Sequence, residues 1–421
     1  MLTVIMNERL DWAIHLIESG QYDEGLKQIK TILKEADEET AFEIATHYQE
    51  WGMAEDARAI LTRLHKQHPS DSHILMALAE VDIDLDQEDQ AIDWLMSIHQ
   101  LDENYLSAQV LLADLYQAQG LEEAAERRLL EAHKFSPHEP ILIFALAEFY
   151  ASVGRAGQAA TLYKQVLHAD TLKHENVQLK LAEALSYNGQ FEEALIYYKK
   201  GLESDKPLNS LFGYGMTAFK VEQYQTTITA LEELKELDPQ YSTLYPLLAK
   251  AYEAEGAVDE AFATIEAGIK IDEFNEQLFI EASDLAMKLK DPYKAEHYLE
   301  QLLAIDPENT EAIKKWVEIK REQEDHEAII QLLEKEKADP ELLWYLASAY
   351  VEEEHLEKAA KIYNQIVSHF KEDPAFLKEY GEVLWQLGER SEALQMLQDS
   401  LSLDPENEEL RAFVERIEQD F

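Results

Sequence analysis

The chain contains no cysteine. Disulfide staples, thiolate nucleophiles and cysteine-ligated zinc are therefore excluded, and a reducing compartment is the natural setting. Glycine and proline are sparse, at 14 and 11 of 421 residues, which argues against long flexible linkers. No apolar run approaches the length that spans a bilayer, so no direct membrane insertion is expected. The opening MLTVIMNERLDWAIHLIESGQ lacks the basic stretch, apolar core and cleavage site of a secretory signal, so a cytoplasmic protein is expected. Basic residues are also few, 37 against 85 acidic ones, for a formal net charge of −48. That field repels nucleic acid and anionic membrane surfaces and draws in a basic partner. The plainer role of the same charge is solubility.

The residues that are abundant point to helices. Ala, Leu, Glu, Lys and Gln fill the runs between breakers, and these are strong helix formers. The breakers recur. Gly20 and Gly52 are 32 residues apart, Gly120 and Gly154 are 34 apart, and Gly154 and Gly189 are 35 apart. Gly256 and Gly388 fit the same period, and Asp86, Glu222, Lys290, Gln323 and Glu354 fill the missing turns, giving about twelve units. The tenth, around Gln323, is weak.

Five residues after most turns stands a small residue, such as Gly25, Ala57, Ala125 or Ala194. Four further on stands a large apolar one, such as Ile29, Leu61, Leu129 or Tyr198. A spacing of four puts both on one helical face, where the small residue admits a neighbouring helix and the large one fills the groove beside it. Before the turns, pairs such as Ala45 and Tyr48 or Ala147 and Tyr150 mark the inner face of a first helix. Pro or Asp-Pro marks most unit boundaries, from His68-Pro69 to Asp404-Pro405; Asp is expected to cap the next helix there, with Pro in its first turn. A hairpin of this kind exposes apolar faces on both sides, so only stacking on its neighbours completes a core.

The string LAEALSYNGQFEEALIYYKKGLESDKP, from Leu181 to Pro207, is the clearest copy. Its Leu181, Ala182, Leu185, Gly189, Phe191, Ala194, Tyr198 and Pro207 resemble the tetratricopeptide-repeat signature, and LAKAYEAEGAVDEAFATIEAGIKID is a second copy. The chain as a whole resembles multi-repeat cytoplasmic proteins of Gram-positive bacteria. The resemblance implies an all-α, right-handed superhelical solenoid of helix-turn-helix units. It would run over residues 1–406, with an irregularity or hinge near 308–326. Residues 407–421 read as a capping helix, with Leu410, Phe413, Val414 and Ile417 at helical spacing. Leu2 to Met6 are candidates to shield the first unit. The units around Val81-Asp82 and Trp316-Val317 depart from the pattern.

The resemblance further implies partner binding along the first helices, on the concave side. Carried onto this chain, the expected contact residues are Phe42, Met76, Phe144, Tyr187, Phe212, Met216, Phe219, Trp344, Tyr345 and Trp385. The competing expectation is that about half of them pack between helices. Acidic neighbours are Glu43, Glu80, Asp114, Glu148, Glu183, Asp284 and Glu382. Lys180, Lys250 and Lys378 read as isolated cations, which disfavours a clamp for an acidic chain terminus. The expected partner is a protein or peptide with a basic or amphipathic segment, and not nucleic acid. No cofactor or enzyme motif is present. His65 and His68 share a face but have no third ligand nearby, so a solvated or capping role is expected for them. The leading reading is a scaffold or adaptor. Its rivals are a self-associating structural protein, as a homodimer, and an enzyme or enzyme regulator using a groove pocket.

Overall fold

In the computed structural model, which describes residues 2–334 and 339–419, every regular element among the described residues is helical. The chain divides into two compact units, Met1–Val221 and Glu222–Phe421. The first holds α1 (Leu2–Glu18), α2 (Tyr22–Ile32), α3 (Glu38–Glu50), α4 (Ala54–Gln67), α5 (Ser72–Asp84), α6 (Glu88–Met96), α7 (Tyr105–Ala118), α8 (Glu122–Phe135), α9 (Pro140–Ser152), α10 (Ala156–Val166), α11 (Val177–Tyr187), α12 (Phe191–Gly201) and α13 (Leu208–Lys220). The second holds α14 (Tyr224–Leu237), α15 (Leu244–Ala254), α16 (Val258–Ile271), α17 (Glu276–Lys288), α18 (Pro292–Ile305), α19 (Thr310–Glu322), α20 (His326–Leu333), α21 (Pro340–Glu352), α22 (Leu356–Ile366), α23 (Pro374–Leu387), α24 (Arg390–Leu403) and α25 (Glu408–Gln419). First helices of hairpins carry odd numbers, second helices even ones.

Within each unit the second helix of one hairpin packs on the first helix of the next. In the first unit α4 meets α5, α6 meets α7, α8 meets α9 and α10 meets α11; in the second, α16 meets α17, α18 meets α19, α20 meets α21 and α22 meets α23. Contacts therefore run between neighbours, the organisation of a repeat solenoid. The small second-helix residues Ala57, Ala91, Ala125, Ala159 and Ala194 are fully buried, as are the large partners Leu61, Leu95, Leu129, Tyr163 and Tyr198. Gly25 holds the small register in the first hairpin because α1 comes closest there. A Cβ would meet Ile17 Cγ1 at 2.5 Å and the Ala13 carbonyl oxygen at 2.9 Å. Gly213 serves the same end: its Cβ would lie 2.7 Å from the Tyr198 hydroxyl.

The hairpin turns within each unit close in one way. The turn residue adopts positive φ, as at Gly189 (77°), and the following N–H donates back into the first helix, as from Gln190 to the Leu185 carbonyl at 2.9 Å. Five turns make this bend without glycine, at Asp86, Glu222, Lys290, Glu324 and Glu354. The tenth turn is thus centred on Glu324 and not on Gln323, which ends α19 with right-handed backbone.

The Asp-Pro boundaries split into two kinds. Asp339 and Asp373 cap the helices that follow, accepting the backbone N–H of Leu342 and of Phe376, with Pro340 and Pro374 in the first turn. Asp291 caps α18 likewise. Asp238, Asp306 and Asp404 instead close the preceding helices α14, α18 and α24, and the next helix starts several residues later. There proline follows a helix end, where it cannot extend the helix.

At the C-terminal end α25 lays Leu410, Val414 and Ile417 against Leu397, with Phe413 half-buried beside Trp385. Asp420 and Phe421 lie outside the described residues, as do the side chains of Leu2 to Ile5. Met6 packs against the first core cluster. The stretch 308–326 falls within the second unit, where α20 is only 8 residues long.

Candidate functional site

The ten aromatic and Met residues expected to bind a partner all lie on first helices, but their environments differ. In the first unit Tyr187, at the end of α11, is 84% exposed. Phe42 on α3 and Met76 on α5 are half-buried against the core clusters beneath them. Phe144 on α9 sets its ring edge-on to Tyr163 at 5.9 Å. On α13, Met216 is exposed, while Phe212 and Phe219 are half-buried.

In the second unit Trp344 on α21 is a packing residue. Its ring centroid is 5.1 Å from Phe370 and 5.3 Å from Phe376, and its Nε1–H donates to Glu379 at 2.7 Å. The same Glu379 oxygen accepts from Ser348 at 3.0 Å and from Tyr363 at 2.9 Å, so one carboxylate ties α21, α22 and α23 together. Tyr345 is half-buried, with the Arg321 guanidinium 5.5 Å from its ring centre. Trp385 on α23 is half-buried and set edge-on to Phe413.

A second series on these helices is acidic. The residue following the small residue of the first-helix pair is Glu80 on α5, Asp114 on α7, Glu148 on α9 and Glu183 on α11. Four successive hairpins thus place a carboxylate at one register. Glu80 and Asp114 are open to solvent, and among the described residues neither has a hydrogen bond or ion pair. Desolvation by the surrounding protein raises both carboxyls above their ordinary values, with Asp84 adding to the effect at Glu80. Glu148 accepts from Lys180 at 2.8 Å and from the Tyr163 hydroxyl, whereas Glu183 accepts from Ser210 at 3.0 Å. The second unit repeats the register with Asp284, Glu318 and Glu382; Glu318 was not singled out from the sequence.

The three lysines that read as isolated are all engaged. Lys180 pairs with Glu148 at 2.8 Å, Lys250 with Glu281 at 2.8 Å, and Lys378 with Glu382 at 3.8 Å. Lys315 and Asp284 add a further bridge, at 2.6 Å, between successive first helices. Lys378 and Glu382 are four apart on one helix, but sequence reasoning missed the three pairs between helices because it treated each helix alone. The signal is a separation of 31 or 32 residues, one repeat less a helical turn.

Each unit opens a cleft beside its first helices. One, of about 490 Å³, is lined in the first unit by Glu148, Ser152, Tyr163, Lys180, Glu183 and Tyr187. Small residues, among them Ala151, Gly154 and Ala184, leave the room for it. The other, of about 540 Å³, lies in the second unit beside Glu318, Arg321, Glu322, His326, Tyr345 and Glu352. Among the described residues no group of three or more His, Asp or Glu is arranged to hold a metal, and no helix is long and apolar enough to cross a membrane. His65 sets its ring edge-on to Trp94 at 4.9 Å, and His68 bonds Glu38 at 2.8 Å.

Known proteins place this architecture. The family of YpiA-like C-terminal tetratricopeptide repeats matches residues 340–407, YpiA-like tetratricopeptide repeats match 117–171, and a general tetratricopeptide repeat matches 176–207 and 277–309. The TPR repeat-containing protein YpiA of Bacillus subtilis (strain 168) is 37% identical over 421 residues, covering 99% of this chain and 100% of that protein. Among solved structures, YrrB, a TPR protein with an unusual peptide-binding site, is 19% identical with a TM-score of 0.39, covering 44% of this chain and 96% of its own. A tetratricopeptide repeat protein from Parabacteroides merdae ATCC 43184 is 16% identical with a TM-score of 0.41, covering 59% and 98%. The chain therefore belongs to the YpiA-like tetratricopeptide-repeat proteins, a branch of a repeat family that generally mediates protein–protein interactions.

Proposed function

We propose that this protein is a binding scaffold whose first-helix face takes up a basic segment of a partner protein. The observation that carries the reading is the carboxylate series Glu80, Asp114, Glu148 and Glu183 on four successive first helices of one unit. Among the described residues, only Glu148 of the four has a cationic partner, Lys180. A partner's Lys or Arg side chains, spaced along an extended segment, would meet the remaining acids in turn. Tyr187, exposed beside the cleft of Glu148 and Glu183, supplies a rigid ring for an apolar or cationic anchor. The net charge of −48 adds long-range attraction for the same partner and opposes association with another acidic copy.

The test is capture of proteins from a host lysate by the full chain at low and at high salt, with crosslinking to map the contact. Basic segments should be captured at low salt, released at high salt, and lost on Asp114→Lys combined with Glu183→Lys. Salt-insensitive capture of acidic proteins alone would refute the reading.

A further inference from the structure

The first hairpin breaks a rule that the next five hairpins keep. The residue just before the small residue of the first-helix pair is Ile44 on α3, Leu78 on α5, Leu112 on α7, Leu146 on α9 and Leu181 on α11. All five are at most 3% exposed. The clusters show what covers them. Ile44 shares a core cluster with Ile29 and Ile32 of α2 and Leu78 with Leu61 and Leu64 of α4, while Leu112 shares one with Leu95 of α6. Over α5 and α7 the preceding second helices α4 and α6 lie on the register. On α1 that position is Trp12, and it is 52% exposed.

A tryptophan is a costly residue to leave in water, and the end of a repeat stack is ordinarily polar for that reason. The other end of this chain follows the rule: α25 covers Leu397 and turns Glu409, Arg411, Glu415 and Arg416 to solvent. Helical geometry surrounds Trp12 with Glu8 and Arg9 on one side and His15 and Leu16 on the other, with Asp11 adjoining. Glu8 and Asp11 are exposed, and Arg9 is drawn to Glu35 at 3.5 Å. The face is thus one large ring flanked by the carboxylates of Glu8 and Asp11, with Arg9 held by Glu35 and His15 on the far side.

We propose that this face of α1 docks one amphipathic helix of a partner protein. That helix carries a small residue followed four positions later by Leu or Ile, and basic residues on its flanks. The shape follows from the unit itself, since the five equivalent registers are buried and those on α5 and α7 are covered by just such helices, α4 with Ala57 and Leu61 and α6 with Ala91 and Leu95. The charge follows from Glu8 and Asp11. A second copy of the chain would bring the same carboxylates against one another, and −48 against −48. This surface is separate from the first-helix face proposed above.

The probe is a helix-stapled peptide of residues 122–135, the α8 sequence, with Glu122→Lys, Glu123→Lys and Glu131→Lys. It keeps Ala125 and Leu129, which are buried in the protein's own stack. Binding to the full chain is read by fluorescence anisotropy, and protection of α1 by hydrogen exchange. The peptide should bind saturably and slow exchange in α1. Trp12→Ala should weaken binding about tenfold or more, and Trp12→Phe should retain most of it. Tyr187→Ala should leave it unchanged. Absence of saturable binding, equal affinity for Trp12→Ala, or loss of binding on Tyr187→Ala would overturn the proposal. So would a concentration-dependent dimer of the wild type that Trp12→Ala dissolves, because a second copy would then own the face. The exchange readout on the wild type stands even where a variant perturbs α1.

Discussion

Arg58 on α4 sets its Nε 2.5 Å from the carboxylate of Asp82 on α5, and Asp82 is wholly buried. Trp94 Nε1–H donates to the other oxygen at 2.8 Å. The two charged residues are 24 apart in sequence. The same separation joins Glu126 to Tyr150, whose hydroxyl donates to it at 3.0 Å, and Glu296 to Lys320, which form an ion pair. One pair of registers therefore bonds a second helix to the next first helix at three junctions, with different chemistry at each. Asp82 and Lys320 stand where most first helices carry Tyr or Leu. Each is matched by an opposite charge at the facing register.

Removing half of the Arg58–Asp82 pair should be expensive. Arg58→Ala leaves a buried carboxylate without its cation, at a cost of about 3 kcal/mol. The double change Arg58→Ile with Asp82→Tyr installs the residues found at the next equivalent pair, Ile92 and Tyr116, and should be neutral or stabilising by about 1 kcal/mol. Urea denaturation with hydrogen exchange read in α4 and α5 separates the two. A double variant as weak as the single one would show that the charge itself is needed.

The five left-handed turns without glycine hold unspent stability. Lys290 has φ of 61°, an arrangement that costs a side-chain residue about 1–2 kcal/mol. Glycine relieves this but gives back roughly 0.5–1 kcal/mol of backbone entropy. Lys290→Gly should therefore stabilise by about 0.5 kcal/mol, seen as a rise in melting temperature. Gly189→Ala should lower it.

Asp114 links stability to pH. Partial desolvation by the surrounding protein raises its carboxyl in the folded chain, so the folded state holds the proton to higher pH than the unfolded state does. Its contribution is then most favourable below the ordinary carboxylate value and is lost as pH rises through the folded value. Asp114→Asn should raise the melting temperature at pH 7 and flatten the pH dependence from about pH 4 upward. It should also weaken capture of a basic partner. A variant less stable than wild type at pH 7 would contradict the sign.

Trp344 and Tyr187 should part company under mutation. Trp344→Ala removes a ring packed on Phe370 and Phe376 and a donor to Glu379, and should cost about 2–4 kcal/mol. Tyr187→Ala should change stability by no more than about 0.5 kcal/mol while reducing binding of a basic segment. Thermal melts and the salt-dependent capture assay give the two readouts.

The hairpins were legible because each must solve the same local problem. A small residue, a large one four later and a tight turn recur wherever two helices meet, so the period survives changes in every other residue. What was not legible depends on residues a whole repeat away. Trp344 and Tyr187 look alike as aromatics on first helices, yet Glu379, Phe370 and Phe376 bury the first while the second stands free. Lys180 looked isolated because its partner, Glu148, lies on the previous hairpin. Glu324 was displaced by one position because a left-handed Glu carries no local mark that a left-handed Gly would. Asp82 departs from the motif on its own helix because Arg58, on the preceding hairpin, faces it.

That facing pair also sets the phase in which this array tolerates gain or loss of a segment. Excising a whole hairpin, residues 38 to 71, would delete Arg58 and strand Asp82 against an unrelated helix. Excising from turn to turn, residues 53 to 86, would remove both and rejoin like ends at Gly52 and Gln87. The heritable module, for a recombining gene or a protein engineer shortening the chain, is the second helix together with the first helix that follows it.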